Sequence, residues 1–165
     1  MSHNAYRAAI ITASDKGSKR EREDASGKLV KEIVENAGYR VASYAVFPDE
    51  QEMLEAEMRR ICDENLADLI LTTGGTGFSP RDRTPEATIA VAERLVPGIA
   101  EAMRMQSMAI TKRAMLSRAT SGIRGKTLIV NLPGSPKAVR ENLSFIIAEL
   151  EHGLDILTEN DGECG

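Results

Sequence analysis

Glycines and an acid stand close together in the segment 69–86, where an apolar run leads into Gly74, Gly75 and Gly77 and then to Asp82. Glycines permit a sharp turn whose backbone N–H groups point at one spot, and such a spot attracts anions. An acid beside bound phosphates would repel them unless a divalent cation lies between, and Mg²⁺ prefers one or two carboxylates together with phosphate oxygens. The loop therefore predicts Mg²⁺-assisted chemistry on a phosphate-bearing ligand.

Three further turns also follow strand-like runs, and they carry Ser14 and Asp15, then Pro48 and Asp49, then the segment 133–136. If the strands run parallel, their carboxyl ends share one edge of the sheet, and these loops bring the acids near two glycine turns. Simpler roles stay open, because aspartates often cap helices and Gly-Pro loops often only turn the chain. Neither glycine loop matches a known nucleotide fingerprint, so the residues alone predict a phosphate ligand with Mg²⁺.

Strand-like and helix-like segments alternate along the chain, which is typical of βαβ units. We predict an α/β fold with three layers: a mostly parallel twisted sheet, helices on both faces, and a mixed edge where the segments 117–121 and 126–132 pair. The other predicted strands are 8–12, 39–47 and 68–73, and the predicted helices start near residues 24–26, 48–49, 84, 97 and 136, the one at 84 running to 94.

Composition limits the classes of function. With 165 residues, 42% of them hydrophobic, the chain fits one domain, which we place at 1–157 with a polar tail at 158–165. A formal charge of −4 argues against a general nucleic-acid binder. Two cysteines predict no disulfide framework and no zinc site. No signal pattern or run of about 20 apolar residues occurs, so we expect a cytoplasmic protein that uses no membrane.

Several segments together resemble one family. Residues 72–77 (TTGGTG) and 81–88 (RDRTPEAT) closely resemble the signature of the molybdenum cofactor biosynthesis family, which includes MogA, MoaB and the G domain of gephyrin. Further segments resemble that family in the same order along the chain; they are 12–15, 24–27, 48–50, 103–104, 116–118 and 131–137. The resemblance spans nearly the whole chain.

The active members of that family are molybdopterin adenylyltransferases, which convert molybdopterin and ATP into adenylyl-molybdopterin and pyrophosphate. The resemblance implies that Asp49 and Asp82 are the catalytic acids and hold Mg²⁺. It also implies homotrimers, sometimes paired into hexamers, and a downstream molybdenum-insertion protein as partner. The substrate-binding positions that it implies are Ser14, Asp15, Thr73, Gly74, Gly75, Thr76, Gly77, Pro133, Gly134 and Ser135.

The expected reaction needs no protein nucleophile, because the terminal phosphate of molybdopterin can itself attack the α-phosphorus of ATP. Arg81, Lys16 and Arg118 are candidates for neutralising phosphate charge. Two alternatives are a MoaB-like protein that binds molybdopterin without adenylating it and a Mg²⁺-dependent phosphohydrolase of the competence-damage type. Retention of both Asp49 and Asp82 favours the active transferase, because a binding protein has no need of paired acids facing an anion.

Overall fold

The computed structural model describes residues 5–159, which form a six-stranded sheet with helices on both faces. The strands lie in the order β2-β1-β3-β6-β5-β4. Their bounds are β1 Arg7–Ala13, β2 Arg40–Phe47, β3 Leu69–Thr73, β4 Arg94–Leu95, β5 Ser121–Arg124 and β6 Thr127–Leu132. The helices are α1 Asp15–Ser18, α2 Ala25–Asn36, α3 Gln51–Asp63, α4 Thr84–Val91, α5 Pro97–Met108 and α6 Pro136–Leu157, with a 3₁₀ helix at Lys112–Leu116.

Four strands, β2, β1, β3 and β6, run parallel and finish together. Thr73, at the end of β3, lies opposite Thr12 of β1 and Leu132 of β6, while Ala13 lies opposite Phe47 of β2. The loops that follow these strands therefore leave from one edge. β5 and β4 are antiparallel additions beyond β6, so the predicted mixed edge is confirmed.

Two apolar layers sandwich the sheet, because successive side chains of a strand point to opposite faces. Ile10 and Leu71 face the layer of α2, α5 and α6, whereas Ile11 and Ile70 face the layer of α3 and α4. All five residues of β3 are buried, as expected for a central parallel strand covered on both faces. The predicted three-layer arrangement is therefore confirmed.

The chain between α4 and β6 differs from the prediction. The helix expected to reach Arg94 ends at Val91, since Glu93 N–H donates to Ile123 O (2.8 Å) and Val96 N–H to Ser121 O (2.9 Å). This antiparallel pairing overrides helical propensity. The expected strand at 117–121 is also wrong, because β5 begins only at Ser121.

The start of α3 differs as well. Glu50, not Asp49, occupies the position before the helix. The Asp49 carboxylate is instead engaged by the backbone of Asp15. No helix within residues 5–159 combines the length and apolar character needed to cross a membrane. Most of the predicted polar tail lies outside the described residues.

Candidate functional site

A cavity of about 680 Å³ opens where the parallel strands end, and we call it the acidic cleft. Its wall includes Asp24, Asp49 and Asp82, together with Arg22 from the loop before α2. The predicted site residues that line this cleft, besides the two proposed catalytic acids, are Ser14, Thr73, Gly74, Gly75, Gly134 and Ser135. The expected convergence of four loops at one edge is therefore present.

Asp15 and Asp49 are linked reciprocally across the ends of β1 and β2. Asp15 N–H donates to Asp49 Oδ2 and Asp49 N–H donates to Asp15 Oδ1, both at 3.0 Å. Burial raises the pKa of Asp49, and the nearby charges of Asp15 and Asp82 add to that rise. Hydrogen bonds from Arg81 lower the pKa of Asp15. Of this linked pair, Asp15 is matched by a cation, whereas Asp49, which lines the cleft, is short of positive charge.

Asp82 is fixed by the turn that carries it. Its Oδ2 accepts from Ser79 N–H at 3.0 Å, and its own N–H donates to Ser79 O at 2.9 Å. The loop approaches this carboxylate so closely that a Cβ at Gly77 would lie 2.8 Å from Asp82 Oδ2. The backbone of this loop therefore sets the position of the acid. We call residues 74–83 the glycine loop.

Two of its glycines occupy positions where no side chain fits. Gly74 has φ +91°, and a Cβ there would lie 2.4 Å from Ala13 O. Gly75 has φ +69°, and its Cβ would lie 2.3 Å from Thr84 Oγ1 and 3.3 Å from Asp49 Oδ1. Both angles are in the left-handed region that favours glycine. These residues allow the loop to lie directly against β1 and against Asp49.

Other hydrogen bonds fasten the remaining loops of the cleft to one another. Asp24 caps α2 by accepting from Gly27 N–H (3.0 Å), and its second oxygen accepts from the hydroxyls of Thr12 (2.7 Å) and Tyr44. Ser26 Oγ donates to Gly134 O at 2.6 Å. Tyr44 was not among the predicted site residues, and Asp24 was predicted only to lie at the start of a helix. Asp24 is a fixed part of the wall, since its carboxylate is already fully engaged.

A second cavity, of about 320 Å³, lies on the other side of the glycine loop. Thr76, Gly77 and Pro133, all predicted site residues, line this space and not the cleft. The remaining walls are mainly apolar in surface and come from α5, the 3₁₀ helix and α6; they include Ala100, Met103, Ser107, Leu116, Ala138 and Asn142, together with the charged residues Arg104, Arg113 and Glu141. We call it the apolar cavity. The sequence analysis missed it.

The three basic residues predicted to neutralise phosphate charge differ in what their side chains contact. Arg81 makes hydrogen bonds to Asp15 (2.9 and 3.1 Å) and to Glu50 (2.9 Å). Arg118 turns its guanidinium onto Glu86 and onto carbonyls of the glycine loop. Lys16 is exposed at α1. Arg118 is therefore bound to the protein, whereas Arg81 lies at the cleft rim in exchangeable ion pairs.

The cleft fits a divalent cation only if the ligand supplies part of the coordination shell. Asp49 and Asp82 both line it, and the negative charge of Asp82 already raises the pKa of Asp49. No group of three His, Cys, Asp or Glu side chains in residues 5–159 is arranged to hold a metal. Mg²⁺ commonly uses one or two carboxylates with phosphate oxygens and water, so this donor set suits it.

Comparisons with known proteins agree on the relatives of this chain. The family described as "Probable molybdopterin binding domain" matches residues 9–152. A curated relative from Helicobacter pylori, named molybdopterin adenylyltransferase, is 40% identical over 92% of this chain and 87% of its own length. The Escherichia coli protein of that name is 38% identical over 87% of this chain and 74% of its own.

Solved structures with a similar fold belong to related proteins. The molybdopterin biosynthesis enzyme MoaB from Thermus thermophilus is 46% identical, with a TM-score of 0.88 over 93% of this chain and 97% of that one. The Mog protein of Mycobacterium ulcerans is 38% identical, with a TM-score of 0.85 over 95% of this chain and 99% of that one.

Proposed function

Because this chain belongs to the molybdenum cofactor biosynthesis family, we propose that it is a molybdopterin adenylyltransferase that uses ATP and Mg²⁺. The observation that carries the proposal is the pair of cavities on opposite sides of one glycine loop. One is acidic and the other mainly apolar. A transferase must hold two substrates so that their reacting atoms meet, and the shared loop provides that meeting place.

We assign the acidic cleft to the phosphates of ATP and the apolar cavity to the pterin. Flat heterocycles are usually held by mostly apolar walls with a few polar groups, and here Ser107 Oγ and Asn142 Oδ1 lie 3.0 Å apart in such a wall. The glycine loop, with Thr76 and Gly77 facing this cavity, would receive the terminal phosphate of molybdopterin on its N–H groups.

In the reaction, a phosphate oxygen of molybdopterin forms a bond to the α-phosphorus of ATP. The bond from that phosphorus to the bridging oxygen of pyrophosphate breaks, and pyrophosphate leaves with the electron pair. Asp49 and Asp82 would hold Mg²⁺, which supplies positive charge against the phosphates. The protein itself would orient the two phosphates, and a cation held in the cleft would offset the neighbouring charges that raise the pKa of Asp49.

The test is adenylyl transfer by the purified full chain with ATP, Mg²⁺ and molybdopterin, following adenylyl-molybdopterin and pyrophosphate together. Asp82→Asn tests the cleft, and Asp63→Asn is the matched control, because Asp63 is an exposed acid paired with Arg124 away from the site. Equal amounts of both products, lost in Asp82→Asn and kept in Asp63→Asn, are expected. Molybdopterin binding without product would make the chain a binding protein, and pyrophosphate release without molybdopterin would make it a hydrolase.

We also propose that the chain assembles into a homotrimer or hexamer, acts in the cytoplasm and passes its product to a molybdenum-insertion protein. Exposed apolar side chains support assembly, since monomers rarely leave many of them uncovered; Phe145 and Ile156 of α6 are 50% and 48% exposed. Light scattering on the wild type and Phe145→Glu tests this. A monomeric wild type would contradict it.

A further inference from the structure

Arg118 joins the walls of the two cavities. Its Nε donates to Gly77 O and its Nη2 to Asp82 O, each at 2.7 Å, while Nη1 pairs with Glu86 at the start of α4. Its backbone N–H donates to Thr76 O at 2.9 Å. One residue thus holds three carbonyls of the glycine loop, including that of the acid in the cleft.

These contacts also set the polarity of the loop. Carbonyls of Thr76, Gly77 and Asp82 are each drawn toward Arg118, and Gly75 O accepts from Thr84 N–H at 3.1 Å. An anion site needs N–H groups facing the ligand and carbonyls facing away. The guanidinium fork satisfies two carbonyls in fixed directions, which a lysine ammonium on a flexible stem does not do in the same way.

The segment that carries Arg118 forms part of the wall of the apolar cavity. Its neighbours Ser117 and Ala119 line that cavity. Arg104 of α5 holds the same segment from the other side, with Nη1 donating to Ser117 O (3.2 Å) and Ala119 O (2.8 Å). Arg118 thus connects the segment that lines the apolar cavity to the loop that positions Asp82, which gives a direct path by which a ligand in that cavity would act on the loop.

We propose that Arg118 is a positioning residue that couples the two cavities, so that a ligand in the apolar cavity sets the glycine loop for the ligand in the acidic cleft. The identity of the two ligands rests on the proposed function. Coupling is reciprocal by thermodynamic necessity, so a ligand in the apolar cavity that tightens binding in the cleft is itself bound more tightly, by the same factor, when the cleft is filled. This arrangement favours assembly of the ternary complex over separate binding of either substrate.

The test measures coupling by binding, without turnover. The dissociation constant of molybdopterin is determined for the full chain with and without Mg²⁺ and α,β-methylene-ATP, which cannot transfer its adenylyl group. We expect the analogue to tighten molybdopterin binding by about tenfold in the wild type. In Arg118→Gln the ratio falls to about one, and in the separate turnover assay with ATP kcat falls more than KM rises. Arg118→Lys recovers the pair with Glu86 but little of the coupling.

Arg124→Gln is the matched control for loss of a half-buried guanidinium that bonds both an acid and a carbonyl. Arg124 also pairs with an acid, Asp63 (2.9 Å), and donates to a carbonyl, Val91 O (3.1 Å), away from both cavities. A merely structural role would lower the melting temperature in both variants and leave the coupling ratio unchanged. An unchanged ratio in Arg118→Gln, or wild-type affinities that are independent of each other, overturns the inference. A wild type that shows coupling but no product overturns only the proposed function.

Discussion

The acidic cleft and the apolar cavity share a wall but are built in opposite ways. The cleft is formed by short loops at the ends of parallel strands, and its character comes from carboxylates such as Asp49 and Asp82. The cavity is formed by helices and a 3₁₀ turn, and residues as distant in the chain as Gly77 and Asn142 meet in it. If the proposed function holds, this difference separates chemistry from recognition: the cleft supplies carboxylates for the reaction, whereas the cavity supplies a mainly apolar surface that binds the pterin.

Substitutions in the shared wall should be tolerated less well than substitutions on the outer walls of the two cavities. Gly75 faces Asp49 and the buried Thr84, whereas Thr76 and Gly77 border the apolar cavity. A substitution in this wall should damage both regions, while a substitution on either outer wall should damage one. Substitutions at these three kinds of position distinguish a true two-site enzyme from a single enlarged pocket.

Loss of a cleft acid should have the largest effect. We expect Asp49→Asn to lower the rate of adenylyl transfer by a factor on the order of 10²–10³, because a proposed ligand of the Mg²⁺ that offsets the phosphate charge is removed. The melting temperature should hold or rise, since Asp49 is half-buried and is repelled by Asp15 and Asp82. Initial rates and thermal melts check this, and a rate within threefold of wild type would contradict it.

The shared wall is tested by two glycines that have nearly the same backbone angle. Gly74 and Gly38 have φ +91° and +93°, but a Cβ at Gly74 would lie 2.4 Å from Ala13 O, whereas nothing lies within 4 Å at Gly38. Gly38→Ala should cost about 1 kcal/mol of unfolding free energy from the left-handed conformation alone. Gly74→Ala should cost about 3 kcal/mol or more and reduce binding in both cavities. Urea unfolding measures both; equal losses would show that the close approach does not matter.

The cleft could be predicted from sequence because its residues follow strands directly. The apolar runs before Ser14, Asp49 and Gly74 predicted the strand ends, and the parallel pairing of those strands put the loops at one edge. The predicted hairpin at the edge of the sheet is present, but its strand bounds and the end of the preceding helix were wrong. β4 has two residues, too few to show an alternating pattern, so the helix prediction extended through it.

The apolar cavity could not be predicted in the same way. Ser107 and Asn142 each look like a polar residue on a helix, and only the packing of α5 against α6 puts their side chains in contact. Arg118 was considered as a phosphate ligand because its charge is visible in the sequence. Its actual partners include backbone carbonyls. Because every residue has a backbone carbonyl, the sequence does not show which carbonyls an arginine will bind.

A matched pair of substitutions on the outer walls should separate the two regions. Ala25 lines the acidic cleft and Ala138 the apolar cavity, and each lies in the first turn of a helix with part of its surface exposed. We expect Ala25→Leu to raise KM for ATP and Ala138→Leu to raise KM for molybdopterin, each by about tenfold, consistent with a steric loss of 1–3 kcal/mol. Steady-state kinetics with each substrate varied in turn provides the measurement. If both variants raise both KM values equally, the cavities are not separate subsites.

The smallest effect is expected at the cleft rim, where Arg81 pairs with Asp15 across exposed surface. Hydrogen bonding to Arg81 lowers the pKa of Asp15, so the pair stabilises the fold above the ordinary aspartate pKa and loses that contribution as the pH falls through the lowered value. Arg81→Gln should therefore be slightly less stable than wild type at pH 7, and the difference should disappear in the acid range below about pH 4.

Salt should weaken the same pair, because exposed charges are screened within about 3 Å at 1 M ionic strength. Denaturant unfolding of both proteins at pH 7, repeated in acid and in 1 M NaCl, measures the difference. The charge of Arg81 also offsets part of the rise in the pKa of Asp49, so its loss adds to the deficit of the variant at pH 7, and this added part likewise disappears in acid. A deficit that persisted in acid and salt would show that Arg81 acts by packing against the loop, and the rim would then belong to the shared wall and not to the cleft.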